Sequence, residues 1–416
     1  MNRLNLGIDL TDRGCTMAWH HSEKGTMEIL VDQNGNSVFP SYLALDPERR
    51  QWSSGYDAEQ MKGNSGYLVF HRMLSLFFSQ NSLEVNSNVF TADEMMMHYI
   101  EGVFQEAKDR SGIRNLGQVV ICADGFSISD ADRMTEMIRT LEPAASVHIY
   151  NREECFLYYM LSHSKDIWSN TSYLFDYGPD GLDCYELNQL NGLSQVMVHA
   201  ATEHREDVPF YEGTDRDAER DRWFADLAVE KLNGKIVSSV IVSGSGFQNL
   251  SWAKEFFRAI KSQKSRKIFQ VAHLFALGAG YAANHLAAEN RKFPYICICR
   301  NRLSTTVRMV LDHQENQEQI ILAKEGENCF ESRTSMELNL IERNTVELLV
   351  KNTGAASARK ITCDLSDFMA DGRPRTQIRL MLVFPEENKM AVRIEDMGFG
   401  ELFPSTGQIY QNVFQI

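Results

Sequence analysis

The same order of strand and helix patterns occurs twice along this chain, and the repetition constrains the fold more than any other feature. The first copy opens with an alternating hairpin over Leu4 to His20, and continues with a helical pattern over Thr91 to Arg110 and an apolar strand over Val119 to Cys122. The second copy opens at Ser172 and contains another apolar strand, Val237 to Val242. A duplicated α/β unit of this kind can enclose a ligand between its halves.

The sequence changes character after the second copy. From Phe293 onward, short alternating segments such as Val346 to Val350 and Gln377 to Phe384 predict a separate antiparallel β-domain. The polar stretch Ala287 to Lys292 is the predicted linker. The tail from Met397 to Pro404 is predicted to fold back over the β-domain, with a partner-docking element as the alternative. The predicted first lobe, second lobe and all-β sandwich have the bounds 1–168, 169–289 and 290–416.

The overall charge limits the partners of the chain. Its 416 residues carry a formal net charge of −14, which disfavours binding to the phosphate backbone of nucleic acids. The basic segment Lys261 to Lys267 is interpreted as a solvated surface segment. No apolar run reaches the length that spans a bilayer, and the N-terminus has no signal-peptide pattern, so we expect a cytoplasmic protein without a membrane partner. The eight cysteines fit no zinc spacing and are predicted to be reduced, buried thiols.

Several segments resemble, in the same order, those of the seventy-kilodalton heat-shock chaperones. Leu6 to Leu10 and Leu174 to Gly178 are similar to the two phosphate loops, and Ile241 to Gly246 is similar to the glycine turn against adenosine. Ala276 to Gly280 resembles the closing helix, and Lys360 to Asp396 resembles the second half of the substrate-binding β-sandwich. The resemblance implies an α/β actin-like duplicated ATPase fold with a reduced second lobe, plus an all-β sandwich. Another member of the duplicated actin-like superfamily is the alternative.

The resemblance also implies where a nucleotide would bind. Remnants of catalytic positions are Asp9, His71 and Asp176. The positions carried over for nucleotide contact are Asp9, Thr11, Gly178, Gly244 and Gly246. Asp9 and Asp176 are the positions that would hold Mg²⁺ through water, with turn capping at strand ends as an equal alternative. For His71 a partly buried helix residue is the favoured interpretation. The segment Asn151-Arg152-Glu153-Glu154 lies at the family's Asn-Glu-Pro-Thr segment.

The first phosphate loop departs from the family pattern. Thr11 replaces a glycine, and Asp12 and Arg13 replace two threonines. Glycines matter in such loops because they let the backbone approach phosphate closely, and Asp12 adds negative charge where phosphate would lie.

The second loop and the second lobe depart as well. Pro179 removes an amide donor, and Asp180 adds a carboxylate. Only about 55 residues separate Tyr185 from Val240, where the chaperones place a whole subdomain that forms one wall of the adenosine pocket. We therefore expect no hydrolysis at a useful rate and no resident cofactor, with ATP or ADP plus Mg²⁺ as the alternative.

The function expected from these features is a chaperone-like module that binds a protein or peptide partner and has a degenerate, non-hydrolysing nucleotide site. We expect neither the apolar interdomain linker nor the helical lid of the family, and therefore no coupling of ATP to peptide release. Two alternatives remain open. One is a functional ATP-binding heat-shock-type chaperone or slow ATPase, and the other is a structural subunit of a larger assembly.

Overall fold

The computed structural model describes residues 3–85, 88–190, 196–208, 215–262, 266–288, 294–313, 316–342, 344–369, 372, 374–401 and 403–416. It consists of a mixed α/β region followed by a β-rich region. The coarse prediction of an α/β part followed by a β-rich part is therefore confirmed. The two compact units are Met1–Leu190 with Val198–Pro294, and Asn191–Met197 with Tyr295–Ile416. Most of the predicted linker and the middle of the basic segment Lys261 to Lys267 lie outside the described residues.

The first unit contains two groups of elements, which we call lobe I and lobe II. Lobe I comprises β1 Leu4–Thr11, β2 Gly14–His21, β3 Thr26–Ile29, β4 Val38–Pro40, β5 Tyr42–Asp46, β6 Gln51–Ser54, α1 Gly55–Gln60, β7 Leu68–His71, α2 Met73–Ser79, β8 Leu83–Val85, β9 Asn88–Phe90, α3 Ala92–Ser111, β10 Leu116–Cys122, α4 Ile128–Leu141, β11 Ser146–Tyr150 and α5 Arg152–Leu161. Lobe II comprises β12 Thr171–Gly178, β13 Gly181–Leu190, β14 Val196–Arg205, α6 Asp217–Leu232, β15 Val237–Ser243, α7 Lys254–Ile260, β16 Lys267–Gln270 and α8 Leu274–Ala287.

The main sheets of the two lobes have the same strand order. It is β11-β10-β1-β2-β3 in lobe I and β16-β15-β12-β13-β14 in lobe II. In each lobe the first strand is antiparallel to the second and parallel to the strand on its other side. The turns that follow β1 and β12 therefore occupy equivalent positions at the ends of the two central strands.

Helix α8 packs closely on lobe I because its small residues allow it. A Cβ on Gly278 would lie 2.0 Å from the carbonyl oxygen of Cys155 in α5, and a Cβ on Gly7 in β1 would lie 2.0 Å from the backbone nitrogen of Gly280. Neither approach is compatible with a side chain. The glycines of the segment Ala276 to Gly280 therefore allow the backbone of α8 to contact the backbones of α5 and β1.

Capping residues fix both ends of helix α3. The predicted helix from Thr91 is α3, and the Thr91 side chain accepts a hydrogen bond from the backbone N–H of Glu94 at 3.1 Å. Gly112 ends this helix in the left-handed conformation, with φ of 71°. Both ends of the longest helix in lobe I are thus fixed by neighbouring residues in the sequence.

The second unit is built from antiparallel strands. They are β17 Tyr295–Ile298, β18 Thr305–His313, β19 Asn316–Ala323, β20 Thr334–Ile341, β21 Thr345–Asn352, β22 Arg359–Asp364, β23 Arg375–Glu386, β24 Lys389–Gly398 and β25 Ile409–Gln415. Two four-stranded sheets have the orders β19-β18-β21-β22 and β20-β23-β24-β25. Their buried faces share one apolar core, which includes Leu348 from the first sheet and Leu380 from the second.

The tail after β24 folds back on its own domain, as predicted. The buried carboxylate of Asp396 accepts hydrogen bonds from the hydroxyl of Thr376 at 2.5 Å, and from the backbone N–H and hydroxyl of Thr406, each at 2.6 Å. The guanidinium of Arg375 lies 4.2 Å from the ring centroid of Phe399. Residue 402 of this tail lies outside the described residues.

Two further sequence predictions concern membranes and cysteines. Within the described ranges, no helix is both long and apolar enough to cross a bilayer. All eight cysteines are buried, as predicted.

Candidate functional site

A cleft of about 740 Å³ opens in the first unit where the turns after β1 and β12 approach each other. Its walls come from both lobes, and its volume is in the range of small-molecule sites. Of the residues predicted to contact nucleotide, Asp9, Thr11, Gly178 and Gly244 line this cleft, and so does Asp176, which was predicted as a catalytic remnant and a position for Mg²⁺. The positions carried over from the resemblance therefore meet at the ends of the two central strands.

Two predicted residues are not among the cleft-lining residues. His71 is exposed and ends β7, where it pairs with Tyr42, so the interpretation as a partly buried helix residue is wrong. Its neighbour Arg72 lines the cleft instead. Gly246 lies against Tyr177, and a Cβ on Gly246 would lie 2.1 Å from Cδ1 of that ring.

Arg152 lies at the centre of the cleft, and its importance was not recognised from the sequence. It is the first residue of α5, which begins with a capping box made by Asn151 and Glu154. Its Nη2 atom lies 3.4 Å from Oδ1 of Asp9, and its Nη1 atom lies 3.4 Å from Oδ2 of Asp176. One guanidinium therefore bridges the two aspartates that were predicted to hold Mg²⁺.

The surroundings of this guanidinium are poorly solvated. The side chains of Arg152, Asp9 and Asp176 are 21%, 15% and 16% exposed. The guanidinium carbon lies 4.6 Å from the ring centroid of Phe275. The backbone N–H of Arg152 donates to Oδ1 of Asp124 at 3.2 Å. Charges in such surroundings interact more strongly than charges in water.

Burial controls the titration of this cluster. Burial raises the pKa of Asp176 to about 6, although the neighbouring Arg152 acts in the opposite direction. Burial also raises the pKa of Asp9 above its ordinary value, again against the effect of Arg152. For Arg152, burial lowers the pKa, but the carboxylate of Asp9 and other neighbours outweigh it and raise the pKa well above its usual range. Two carboxylates thus share one permanent cation.

Asp12, which replaces a threonine in the first loop, already accepts hydrogen bonds from another part of the chain. Oδ1 of Asp12 accepts a hydrogen bond from the backbone N–H of Ser75 at 2.8 Å, and Oδ2 accepts one from the Ser75 hydroxyl. Nη2 of Arg72 lies 3.4 Å from the same carboxylate. Asp12 therefore binds the first turn of α2.

The carboxylate added in the second loop has a partner as well. Nη2 of Arg13 lies 2.9 and 2.8 Å from the two carboxylate oxygens of Asp180. This ion pair joins the two turns across the mouth of the cleft, but its side chains are 54% and 92% exposed. An ion pair so exposed contributes little to stability.

Another residue missed from the sequence is His273, which lines the cleft beside the start of α8. Its Nε2 atom lies 2.9 Å from the Ser37 hydroxyl, and its Nδ1 atom lies 3.5 Å from the Thr16 hydroxyl. Burial lowers its pKa, so the imidazole is neutral near pH 7. Its left-handed conformation, with φ of 56°, precedes the first residue of α8, Leu274.

The donor set of the cleft does not fit a resident Mg²⁺. Mg²⁺ prefers octahedral coordination by oxygen atoms and water. In the described part of the chain, no group of three or more His, Cys, Asp or Glu side chains is arranged to hold a metal ion. The two candidate carboxylates instead face the guanidinium of Arg152.

Comparison with known proteins gives two family matches. Residues 26–300 match the model described as "Family of unknown function (DUF5716) C-terminal". Residues 302–416 match the model described as "Domain of unknown function (DUF8552)". No curated protein matches the chain.

Proposed function

The chain belongs to the DUF5716 family of unknown function, and we propose that it is a chaperone-like protein-binding module with a degenerate nucleotide cleft that does not hydrolyse ATP. In this proposal the first unit is a reduced actin-like ATPase fold that acts as a scaffold. The second unit is a β-sandwich of the type that binds substrate in the heat-shock chaperones. The protein acts in the cytoplasm on a protein or peptide partner.

The observation that carries the proposal is the position of Arg152 between Asp9 and Asp176. Phosphoryl transfer from ATP depends on Mg²⁺ to neutralise the phosphates and on a positioned water molecule. A guanidinium bound by both aspartates competes with a metal for the same oxygens. Arg152 also lies in the segment that resembles the family's Asn-Glu-Pro-Thr, where it replaces an acid with a base.

The two turns support the same conclusion. Pro179 offers no amide hydrogen, and Asp180 and Asp12 present carboxylates near the expected path of the phosphates. The Ser75 donors already bind Asp12, and Arg13 already binds Asp180. A triphosphate would have to displace these contacts and would also face the acidic groups.

The topology supports an actin-like origin of the scaffold. The two lobes share one strand order, and the cleft lies at the carboxyl ends of the central strands, where open α/β sheets bind ligands. Between β14 and β15 the described residues form the single helix α6. That short connection supports a second lobe that lacks most of its upper subdomain.

The second unit supports protein binding through its architecture. Two antiparallel sheets around one core leave strand edges to which an extended peptide can add by backbone hydrogen bonds. The net charge of −14 supports a protein or peptide partner rather than a nucleic acid.

Calorimetric titration of the full chain with Mg-ATP and with Mg-ADP tests the nucleotide part of the proposal, together with a phosphate-release assay. We expect neither binding at micromolar concentration nor release of phosphate. Micromolar binding that is lost in Asp9→Asn and Asp176→Asn would instead support the ATP-binding chaperone or slow ATPase.

Affinity purification from the native host tests the partner. Recovery of many unfolded client proteins supports chaperone-like binding. A single stoichiometric partner would replace that proposal with a structural subunit of a larger assembly.

A further inference from the structure

We propose that Arg152 is a built-in cation that joins the two lobes across the cleft, and that a small cation supplied from solution can take its place. The inference rests on the proposed function in one respect only, namely that the cleft holds no metal of its own. The proposed role of Arg152 is to hold the two lobes together, and the test measures stability without nucleotide.

The bridge crosses from one lobe to the other. Arg152 and Asp9 belong to lobe I, through α5 and β1, whereas Asp176 belongs to β12 of lobe II. The guanidinium reaches both carboxylates at the same distance, 3.4 Å. Its planar, permanently charged group has donors on two sides, which suits a bridge between two carboxylates.

The bridge is shielded from water, and this distinguishes it from the other ion pair that crosses the cleft. Asp9 and Asp176 are 15% and 16% exposed, whereas Asp180 in the Arg13 pair is 92% exposed. Removal of one partner from a shielded pair is costly because it leaves charge buried without compensation. Removal of Arg13 leaves a carboxylate that water can solvate.

The charges around the bridge are mostly negative. Asp124 accepts from the backbone of Arg152, and Asp183 lies opposite Asp176 in the β12–β13 pairing. His273, which directly precedes α8, could carry a positive charge near Asp9, but burial lowers its pKa. Without Arg152 the cleft would therefore hold like charges that attract a mobile cation. The cavity is open enough to admit one.

The test is chemical rescue of Arg152→Ala in the full chain. We expect the variant to have a melting temperature lower by roughly 5–10 °C than that of the unsubstituted protein. Low millimolar guanidinium ion should restore a large part of this loss, because it replaces the missing group. Urea at the same concentration, which has a similar shape but no charge, should not restore it. The unsubstituted protein should not gain stability from either additive.

Two controls make the result specific. Arg13→Ala removes the exposed cross-lobe pair, and guanidinium should not raise its melting temperature. Arg152→Lys keeps the charge but loses the two-sided geometry, and it should lie between Arg152→Ala and the unsubstituted protein.

Several outcomes would overturn the inference. They are an unchanged melting temperature in Arg152→Ala, a loss that no guanidinium restores, and equal rescue of Arg13→Ala. If Arg152→Ala does not fold, the triple variant Arg152→Ala/Asp9→Asn/Asp176→Asn decides the matter. Recovery of folding in the triple variant supports a charge bridge. Continued failure shows that Arg152 acts through packing on Phe275, and overturns it.

Discussion

Gly246 lies directly against the aromatic ring of Tyr177, with no room for a side chain. A Cβ on Gly246 would lie 2.1 Å from Cδ1 and 2.5 Å from Cε1 of Tyr177. Tyr177 is fully buried in the core of lobe II, together with Phe224 and Phe247. The glycine turn that resembles an adenosine contact thus has a packing explanation within this chain.

Gly246→Ala should therefore destabilise the first unit. Its Cβ would overlap a ring that the surrounding core holds in place, so we expect a loss of about 1–3 kcal/mol or more in the free energy of unfolding. Gly178→Ala is the matched control from the same predicted nucleotide set, since its Cβ would meet only the Ser245 hydroxyl at 3.5 Å. Urea unfolding of both variants measures the difference. Equal stability of the two would contradict the packing explanation.

The stability of the first unit should depend on pH through Asp176. Burial raises its pKa in the folded protein to about 6 from an ordinary value of 3.8. Between these values the folded protein holds more protons than the unfolded chain. The contribution of Asp176 to stability is therefore fully present below the unfolded pKa, and is lost as pH rises through about 6. The upper limit of this contribution is about 3 kcal/mol.

Urea unfolding between about pH 5 and about pH 8 tests this dependence. Asp176→Asn, which cannot ionise, should show a flatter profile over that range than the unsubstituted protein. Its profile should still contain the contribution of Asp9, whose pKa burial also raises. Parallel profiles for the two proteins would show that Asp176 is not the titrating group.

In the second unit, Asp396 should be the residue that fixes the tail. Asp396 is only 4% exposed, and its carboxylate accepts hydrogen bonds from Thr376, Gly398 and Thr406. Asp396→Asn replaces one acceptor oxygen with a donor, so we expect a loss of about 2–3 kcal/mol in unfolding free energy. We also expect faster proteolysis within residues 397–408. Glu395→Gln, whose ion pairs are more exposed, should cost less than about 1 kcal/mol.

Much of the architecture follows from local sequence signals. The hairpin predicted over Leu4 to His20 is β1 with β2, and the helix predicted over Thr91 to Arg110 is α3. Asp9 and Asp176 were implied by the resemblance, and both line the cleft because each lies near the end of a central strand. The hairpin and the helix depend on periodicity, capping and turn residues, all of which are encoded by near neighbours in the sequence.

The ion pairs inside the cleft could not be predicted from local sequence signals. Arg152 is 143 residues from Asp9 and 24 from Asp176, so its role appears only when three distant segments come together. The sequence places it after a strand and beside a capping asparagine, but not opposite two carboxylates. His71 was misplaced for a related reason. The resemblance alone supplied its position, whereas in the structure β7 ends at His71 and the next residue, Arg72, lines the cleft.

The central claim is that the guanidinium of Arg152 takes the place of a metal ion between Asp9 and Asp176. Titration of the unsubstituted full chain with Mn²⁺, followed by electron paramagnetic resonance of the free ion, measures this directly. The account predicts no stoichiometric binding at micromolar Mn²⁺, with binding gained in Arg152→Ala. Stoichiometric micromolar binding to the unsubstituted protein that Asp9→Asn and Asp176→Asn each abolish would contradict it.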